Sequence, residues 1–588
     1  MSASATERAV LKLVALSARM RRRGRMTPAT IAPIFQNLRP ERIPALDSRP
    51  SQLDYHNVQL AIHSLMVVNA CTVHMERTPN LFTSRFLEPD GWPHFWLWIQ
   101  YLHAQCIVAK VFGDSSCTSS TGAICFILST LTSSEPFIQV LRDTPGVLAL
   151  LTKLWVDSPN NVDPRESDGF FALPLGRLLP DLHTPNGTTN DIFSQVVNAV
   201  DGDVDLVVRT ALDALRSPDT GTRLGNTSLA ANLTLVHNLL GNPLPSPFRS
   251  AFISQGAIRQ LIALLSWFIS EPSRWHLTLL VELCFINLTG VMQSFGDPSW
   301  VVHALECGLL TVVLRSGPCL AQAAQKQRNH PLVRQGISLF DTFLSPYLVF
   351  RKVLRASRKA LGRIEHRKLG TSAAAGPLWD PWRKFRFLAV QRLRMLDEWE
   401  LKSSIHGTLA CSRFECGERH EPGEMKACAN CMHLLYCSHA CQRLDWLNHK
   451  QFCRAGQPEL SGWDNRVDRA FIMFVAQHDI NLRYQDTSRV SYNDLVTQVD
   501  YARNPATFIH RPMSVYTSAL EVDPQSTAPA SIKLGIHAYN VAEWRDLIRR
   551  AEDSGGKRFL TDILLPRGHM LCLLPEKIPL RATAALTA

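Results

Sequence analysis

From about Leu53 the chain places apolar side chains every three or four positions and keeps that period for roughly three hundred residues. This spacing lines one face of an α-helix. Phe252 to Ile269 is a clear case, with Ile258, Leu261, Ile262, Leu265, Phe268 and Ile269 in register, and Val204 to Leu215 is another. Turn-forming clusters separate the periodic runs: Asp157-Ser158-Pro159, Thr184-Pro185-Asn186-Gly187 and Gly241-Asn242-Pro243. Before them, Thr27 to Ser51 is punctuated by prolines and reads as irregular. Further on, Phe385, Leu388, Leu396 and Trp399 mark a helix expected to pack against the cysteine-rich stretch after it. Val467, Phe471, Phe474 and Val475 share one side of an amphipathic helix from Trp463 to Ile480. The pattern then changes. Short strand-like runs, Ser514 to Thr517 and Ser531 to Ile536, precede a helix from Val541 to Arg550, and Leu571 to Leu574 reads as a last strand.

Three helix starts look alike. Ser254-Gln255-Gly256-Ala257-Ile258 runs into Leu264-Leu265, Glu306-Cys307-Gly308-Leu309-Leu310 runs into Val312-Val313, and Thr144-Pro145-Gly146-Val147 runs into Leu150-Leu151. The form resembles a helix start in armadillo repeats. The later two lie roughly 50 residues apart, slightly longer than an armadillo or HEAT unit. A degenerate helical array is the favoured reading, with an irregular bundle whose helices follow glycines as the alternative. Either way the region carries no catalytic constellation and reads as a scaffold.

Hydrophobic content of 46% and charged content of 19% over 588 residues describe a globular chain of about three to five domains. A net charge of +11 permits contact with acidic partners or nucleic acid without requiring it. The charge is dense between Arg351 and Arg394, where Arg351-Lys352, Arg358-Lys359, Arg367-Lys368 and Arg383-Lys384 face few acids and the spacer Gly370 to Pro377 interrupts them. With no base-reading motif beside it, this run reads first as a solvated helix face or nuclear import signal, and nucleic-acid contact comes second. No uninterrupted apolar run is long enough to span a bilayer. His103 and Gln105 interrupt Phe95 to Val111, and Glu282 interrupts Leu277 to Val291, so both read as buried helices. Met1 to Met26 ends in Arg21-Arg22-Arg23-Gly24-Arg25, a basic tail or nuclear signal rather than a mitochondrial presequence, given Glu7 and the clustering of the arginines.

Seven of the 15 cysteines fall between Cys411 and Cys453. The others, such as Cys71, Cys125, Cys284 and Cys319, sit in apolar text like reduced core residues, which points to an intracellular location, nucleus or cytoplasm. Within the cluster, Cys411, Cys416, Cys428, Cys431, Cys437, Cys441, His449 and Cys453 form four close pairs. Zinc takes four thiolate or imidazole ligands tetrahedrally, so eight ligands suit two ions with no position left open for water. Closed sites are structural, whereas a catalytic zinc keeps an open position. Buried cysteines or a disulfide cluster are the alternative, and disulfides belong to secreted chains.

The order Cys428-x-x-Cys431, Tyr436-Cys437-Ser438, Cys441-Gln442, Asp445-Trp446, His449-x-x-x-Cys453 resembles the MYND-type zinc finger. The four residues between Cys411 and Cys416 depart from the family's commonest gap of two and are similar to fungal-like members. The resemblance implies interleaved ligands: Cys411, Cys416, Cys437 and Cys441 on one zinc, and Cys428, Cys431, His449 and Cys453 on the other. His420, His433 and His439 lie nearby as substitutes and are expected to face solvent. The resemblance also implies binding of a protein partner through a short proline-containing peptide, with Ser438 offering main-chain pairing and Gln442 and Trp446 lining the groove. Four apart, Gln442 and Trp446 share a helix face if Cys441 to Lys450 is helical. The plainer alternative is that Trp446 packs on its own zinc core.

MYND fingers also occur in SET-type lysine methyltransferases, which need a glycine-rich cofactor loop, an Asn-His pair and a catalytic tyrosine. Here the Asn448-His449 histidine is claimed by zinc and the flanks lack the rest. Gly555-Gly556-Lys557 lacks the first glycine and the following Ser/Thr of a phosphate loop. The expected protein is therefore mainly α and not an enzyme. It comprises a basic, flexible N-terminal segment (1–50), an armadillo/HEAT-like helical array (51–348), a basic helical linker (349–405), a two-zinc MYND finger (406–456) and a small mixed α/β C-terminal region (457–588).

Overall fold

The computed structural model describes residues 5–21, 28–45, 49–72, 85–88, 91–161, 171–179, 189–215, 226–240, 247–270, 277–293, 298–327, 330–405, most of 409–450, 466–483, 495–512, 558–565 and 568–575. The described chain is mainly α-helical with a small C-terminal sheet. It divides into two compact units, Met1–Gln260 and Leu261–Ala588.

The first unit contains α1 (Ala5–Arg21), α2 (Pro28–Asn37), α3 (Gln52–Thr72), α4 (Trp92–Tyr101), α5 (Asp114–Leu131), α6 (Glu135–Asp143), α7 (Val147–Asn161), α8 (Ala172–Leu178), α9 (Thr189–Asn198), α10 (Val204–Asp213), α11 (Asn226–Leu240) and α12 (Pro247–Ser254); the division falls within α13 (Ala257–Ser270). Thr27 to Ser51 differs from the irregular stretch expected of it. Helix α2 buries Ile34 and Phe35, and Leu38 follows them inward. Phe35 meets Phe95 edge-on at 5.3 Å, and Phe86 reaches both Phe95 and Phe137 at 5.0 Å. Aromatic burial thus overrides the proline punctuation. Asp157-Ser158-Pro159 is likewise no turn, since α7 continues through it to Asn161. Thr184 to Gly187, Gly241 to Pro243, Ser514 to Thr517, Ser531 to Ile536 and Val541 to Arg550 lie outside the described residues.

The three look-alike glycines share a conformation. Gly146, Gly256 and Gly308 have φ of +87°, +81° and +94°, which side chains with a Cβ rarely adopt. Each follows a short helix, and each carbonyl accepts the first bond of the next helix, from the amides of Leu150, Gln260 and Val312. Gly202 (φ +88°), before α10, is a fourth left-handed glycine that the sequence reading passed over. Gly176 on α8 serves a different purpose: its Cα lies so close to α11 that a Cβ there would stand 3.4 Å from the Leu235 backbone.

The second unit contains α14 (Thr278–Gln293), α15 (Ser299–Glu306), α16 (Leu309–Arg315), α17 (Gly317–Lys326), α18 (Pro331–Ser338), α19 (Arg351–His366), α20 (Ser372–Ala375), α21 (Trp379–Ile405), α22 (His439–His449) and α23 (Arg466–Arg483). The Gly370 to Pro377 spacer is held rather than loose: Gly317 faces it so closely that a Cβ would meet the Ala374 carbonyl oxygen at 2.1 Å. Helix α21 packs on α19 and α23, with Trp399 against Phe471 at 5.7 Å. The two-stranded pairs β1 (Leu409–Ala410)/β2 (Arg419–His420) and β3 (Lys426–Ala427)/β4 (Leu435–Tyr436) come next. After α23, β5 (Leu495–Asp500), β6 (Thr507–Pro512), β7 (Arg558–Leu565) and β8 (Gly568–Pro575) form one sheet in the order β6-β5-β7-β8, and only β5/β7 is parallel. Leu571 to Leu574 lies in β8, as read from sequence.

A buried ion pair fastens α21, α23 and the end of β5. Arg392 (side chain 6% exposed) donates to both carboxylate oxygens of Asp479 (10% exposed), the Nη1–Oδ1 distance being 2.8 Å, and the Tyr501 hydroxyl donates to Oδ2 at 2.7 Å. Burial alone would raise the Asp479 carboxyl. The neighbouring His478, the Arg392 guanidinium and the Tyr501 donor outweigh it and hold the group below the ordinary aspartate value. Among the described residues no single helix is long and apolar enough to cross a membrane. Phe95, Trp98 and Ile99 of α4 and Cys284, Phe285 and Leu288 of α14 are instead buried. Cys125, Cys284 and Cys319 are buried free thiols, and burial pushes Cys319 up to about 11.

Two expectations test these features by denaturant unfolding. Asp479→Ala strands a buried guanidinium and should lose about 3–5 kcal/mol. Because the folded carboxyl sits below its usual ~3.9, its stabilisation is full at neutral pH. It is lost as pH falls through the folded value, so wild type and Asp479→Asn should converge in acid. Gly308→Ala should lose about 1 kcal/mol to the left-handed backbone, whereas Gly362→Ala, mid-helix with open space around it, should gain about 0.5–1 kcal/mol.

Candidate metal centre

The finger segment is assembled from two short hairpins and one helix. Strands β1 and β2 pair antiparallel, Leu409 with His420 and Ala410 with Arg419, so the chain between them turns back on itself and carries Cys411 and Cys416. The Cys411 amide donates to the Glu418 carbonyl at 2.9 Å, and the Cys416 amide to Arg413 at 3.1 Å, which fixes both thiols locally. Strands β3 and β4 pair likewise, Lys426 with Tyr436 and Ala427 with Leu435. Cys428 follows β3 and Cys437 follows β4. Ser438 then caps α22, its hydroxyl accepting from the Cys441 amide at 3.2 Å. The helix sets Cys441 one turn beyond Cys437.

These elements bring Cys411, Cys416, Cys437 and Cys441 together, their four sulfur atoms all within 4.8 Å of one another. The Cys416–Cys437 and Cys437–Cys441 sulfurs are 3.5 and 3.4 Å apart, and all four thiols are free. A tetrahedral zinc with bonds of about 2.3 Å needs sulfurs roughly 3.8 Å apart, so the cluster fits that ion. Without a cation four crowded thiols cannot all ionise. Burial, then proton sharing with Cys441, Cys416 and Cys411, pushes the Cys437 thiol up to about 12. At Cys441 burial opposes ionisation, but donors from Cys437 and Ser438 outweigh it and draw the group down to about 7. A divalent cation removes this conflict by holding every sulfur as thiolate. With four protein ligands the centre has no open position, so its chemistry is structural.

The pairing implied by the sequence, 411/416 with 437/441, is the set that comes together. Of the remaining expected ligands, Cys428 is buried beside the cluster and packs with Cys411, Tyr436 and Cys441. Cys431 and Cys453 lie outside the described residues, as does the side chain of His449, the last residue of α22. His420 faces Glu424 at 3.6 Å and His439 faces Gln442 at 3.5 Å, so neither joins the thiols; His433 is outside the described residues. Sequence reasoning missed the role of Asp445. Its carboxylate accepts from the Tyr436 hydroxyl at 2.8 Å, both groups being buried, and this locks α22 onto β4. The signal available was the polar Asp445 four residues beyond Cys441, on the inward side of the helix. On the outer side, Gln442 is half-buried and Trp446 is 41% exposed, with Leu444 and Leu447 more exposed still.

Residues 411–453 match the family model of the MYND finger. No curated protein matches the chain. The stretch is a MYND zinc finger, a zinc-binding module that mediates protein–protein interaction. Helix α21 packs on α19 and α23 among the described elements.

Cys437→Ser removes the ligand closest to two others, and elemental analysis of the purified protein should show zinc lost relative to wild type, with faster proteolysis inside 411–453. Tyr436→Phe leaves a buried carboxylate oxygen without its donor and should destabilise the finger by about 1–3 kcal/mol while retaining metal.

Proposed function

We propose that the finger recruits a protein partner through a short proline-containing peptide. The peptide would lie beside the Tyr436-Cys437-Ser438 segment and across Gln442 and Trp446. The exposure of Trp446 on a helix anchored by Cys441 and Asp445 carries this reading. A flat indole on a metal-fixed helix suits the pre-ordered polyproline conformation, which gives up little entropy on binding. Ser438 has a structural duty as helix cap, so its part in peptide pairing is assigned to its main chain only.

In this reading the finger holds two structural zinc ions, the second on Cys428, Cys431, His449 and Cys453. The gap between Cys411 and Cys416 is read as the fungal-like variant of the finger. The helical region serves as a degenerate armadillo-like scaffold, a view supported by the shared left-handed corners at Gly146, Gly256 and Gly308. The protein acts by binding rather than catalysis, in the nucleus or cytoplasm.

Affinity capture with wild type and Trp446→Ala, read by mass spectrometry and followed by titration of synthetic peptides from the partners found, tests the groove. Partners sharing proline-containing segments should be lost from the variant, and their peptides should bind wild type alone. Identical partner sets would make Trp446 a packing residue. Two zinc ions per wild-type chain, falling to one in Cys428→Ser if that variant keeps its first site, is the expected metal count.

A further inference from the structure

The chain's net charge of +11 has one source. Residues 351–394 hold 13 Lys and Arg against 2 acids, Glu365 and Asp380. Removing these from the 62 basic and 51 acidic residues of the whole chain leaves 49 of each sign. Over the whole of α19, α21 and the loop between them (351–405) the count is 14 basic residues against 5 acids, a net +9, and the rest of the chain carries only +2.

Within this hairpin, arginines and lysines are used differently. Arg355 pairs with Glu400, Arg358 with Asp397 and Arg386 with Glu365, all between the two helices. Arg351 and Arg392 reach Asp468 and Asp479 on α23, and Arg363 donates to the Leu305 carbonyl. Lys359, Arg367, Lys368, Lys384 and Arg394 are exposed and form no ion pair with a carboxylate among the described residues, and exposed Lys352 forms none within direct contact but adds its charge beside Asp468. Lys352, Lys359 and His366 stand seven apart, in one line along the outside of α19. Arg383, Phe387, Val390 and Arg394 form a second line along α21, with Phe387 74% exposed. The opposite faces are occupied, α19 by α15 and α16, and α21 by α23.

We infer that the outer face of the α19–α21 hairpin binds the phosphate backbone of a single-stranded nucleic acid without reading its sequence, with Phe387 as a stacking platform. Phosphates are neutralised by mobile point charges, which the free lysines supply. Single strands combine such charges with aromatic faces. An acidic protein would be gripped best by arginine forks, and most of those here are already engaged internally. A membrane would need a broad apolar face, whereas α21 turns most of its apolar side chains into the protein and, among the described residues, exposes Phe387, Val390 and Leu401 as a narrow line interspersed with cations.

The test is fluorescence anisotropy of the full chain with a labelled, mixed-sequence single-stranded oligonucleotide of about 16 nucleotides, from about 50 to 200 mM salt. Wild type should bind with an affinity that falls steeply with salt. Combining Lys352→Gln, Lys359→Gln, Lys384→Gln and Arg394→Gln should lower the slope of log K against log salt by roughly 3, at about 0.7 per contact. These side chains are exposed, so zinc content and circular dichroism should not change. Phe387→Ala should weaken binding roughly fivefold or more at unchanged slope. No binding by wild type, or an unaltered slope in the fourfold variant, overturns the inference. So does equal affinity for polyglutamate of matched charge, or capture by phosphatidylserine vesicles in preference to the oligonucleotide.

Discussion

Four sulfur atoms gathered within 4.8 Å are a constraint before they are a site. Among the described residues the finger's packed centre is Cys411, Cys428, Tyr436 and Cys441, with Cys416 and Cys437 against it. A module of some forty residues is too short to offset its ordering entropy by apolar burial alone. Metal binding must supply the missing free energy, so the finger's shape exists only while its thiolates are neutralised by a cation. The placement of α22, and of every side chain it offers to solvent, follows from that requirement.

The larger helical parts obey a different rule. Their cores are apolar, and their elements are joined by left-handed glycine corners and fastened where polar groups must be buried. The Arg392–Asp479–Tyr501 group illustrates the second device. An apolar trio of the same volume would stabilise the fold as well. What the charged trio adds is a strong penalty for any arrangement that separates α21, α23 and β5.

Much of the finger was legible because ligand spacing is local: the gaps between cysteines state which turns and helix follow. The glycine corners were legible for the same reason, one residue carrying the backbone demand. The Tyr436–Asp445 bond was not, because it joins residues whose proximity depends on the finished finger. The prolines of Thr27 to Ser51 misled for the opposite reason: a local breaker signal was outweighed by distant burial of Ile34, Phe35 and Leu38. In the basic run the acids looked scarce because they are supplied by Asp397, Glu400, Asp468 and Asp479, beyond its end. The parallel β5/β7 pairing spans some sixty residues and leaves no periodic trace.

The division between the ion-paired arginines and the exposed lysines of the α19–α21 hairpin, with Arg367 and Arg394 on the lysines' side, separates the chemistry that holds the fold from the chemistry that faces outward. Acetylating Lys359 or Lys384 would delete a charge without breaking any of the arginine–carboxylate pairs seen here, because those lysines take no part in them. The surface potential of this hairpin is therefore adjustable in single steps while its architecture stays fixed.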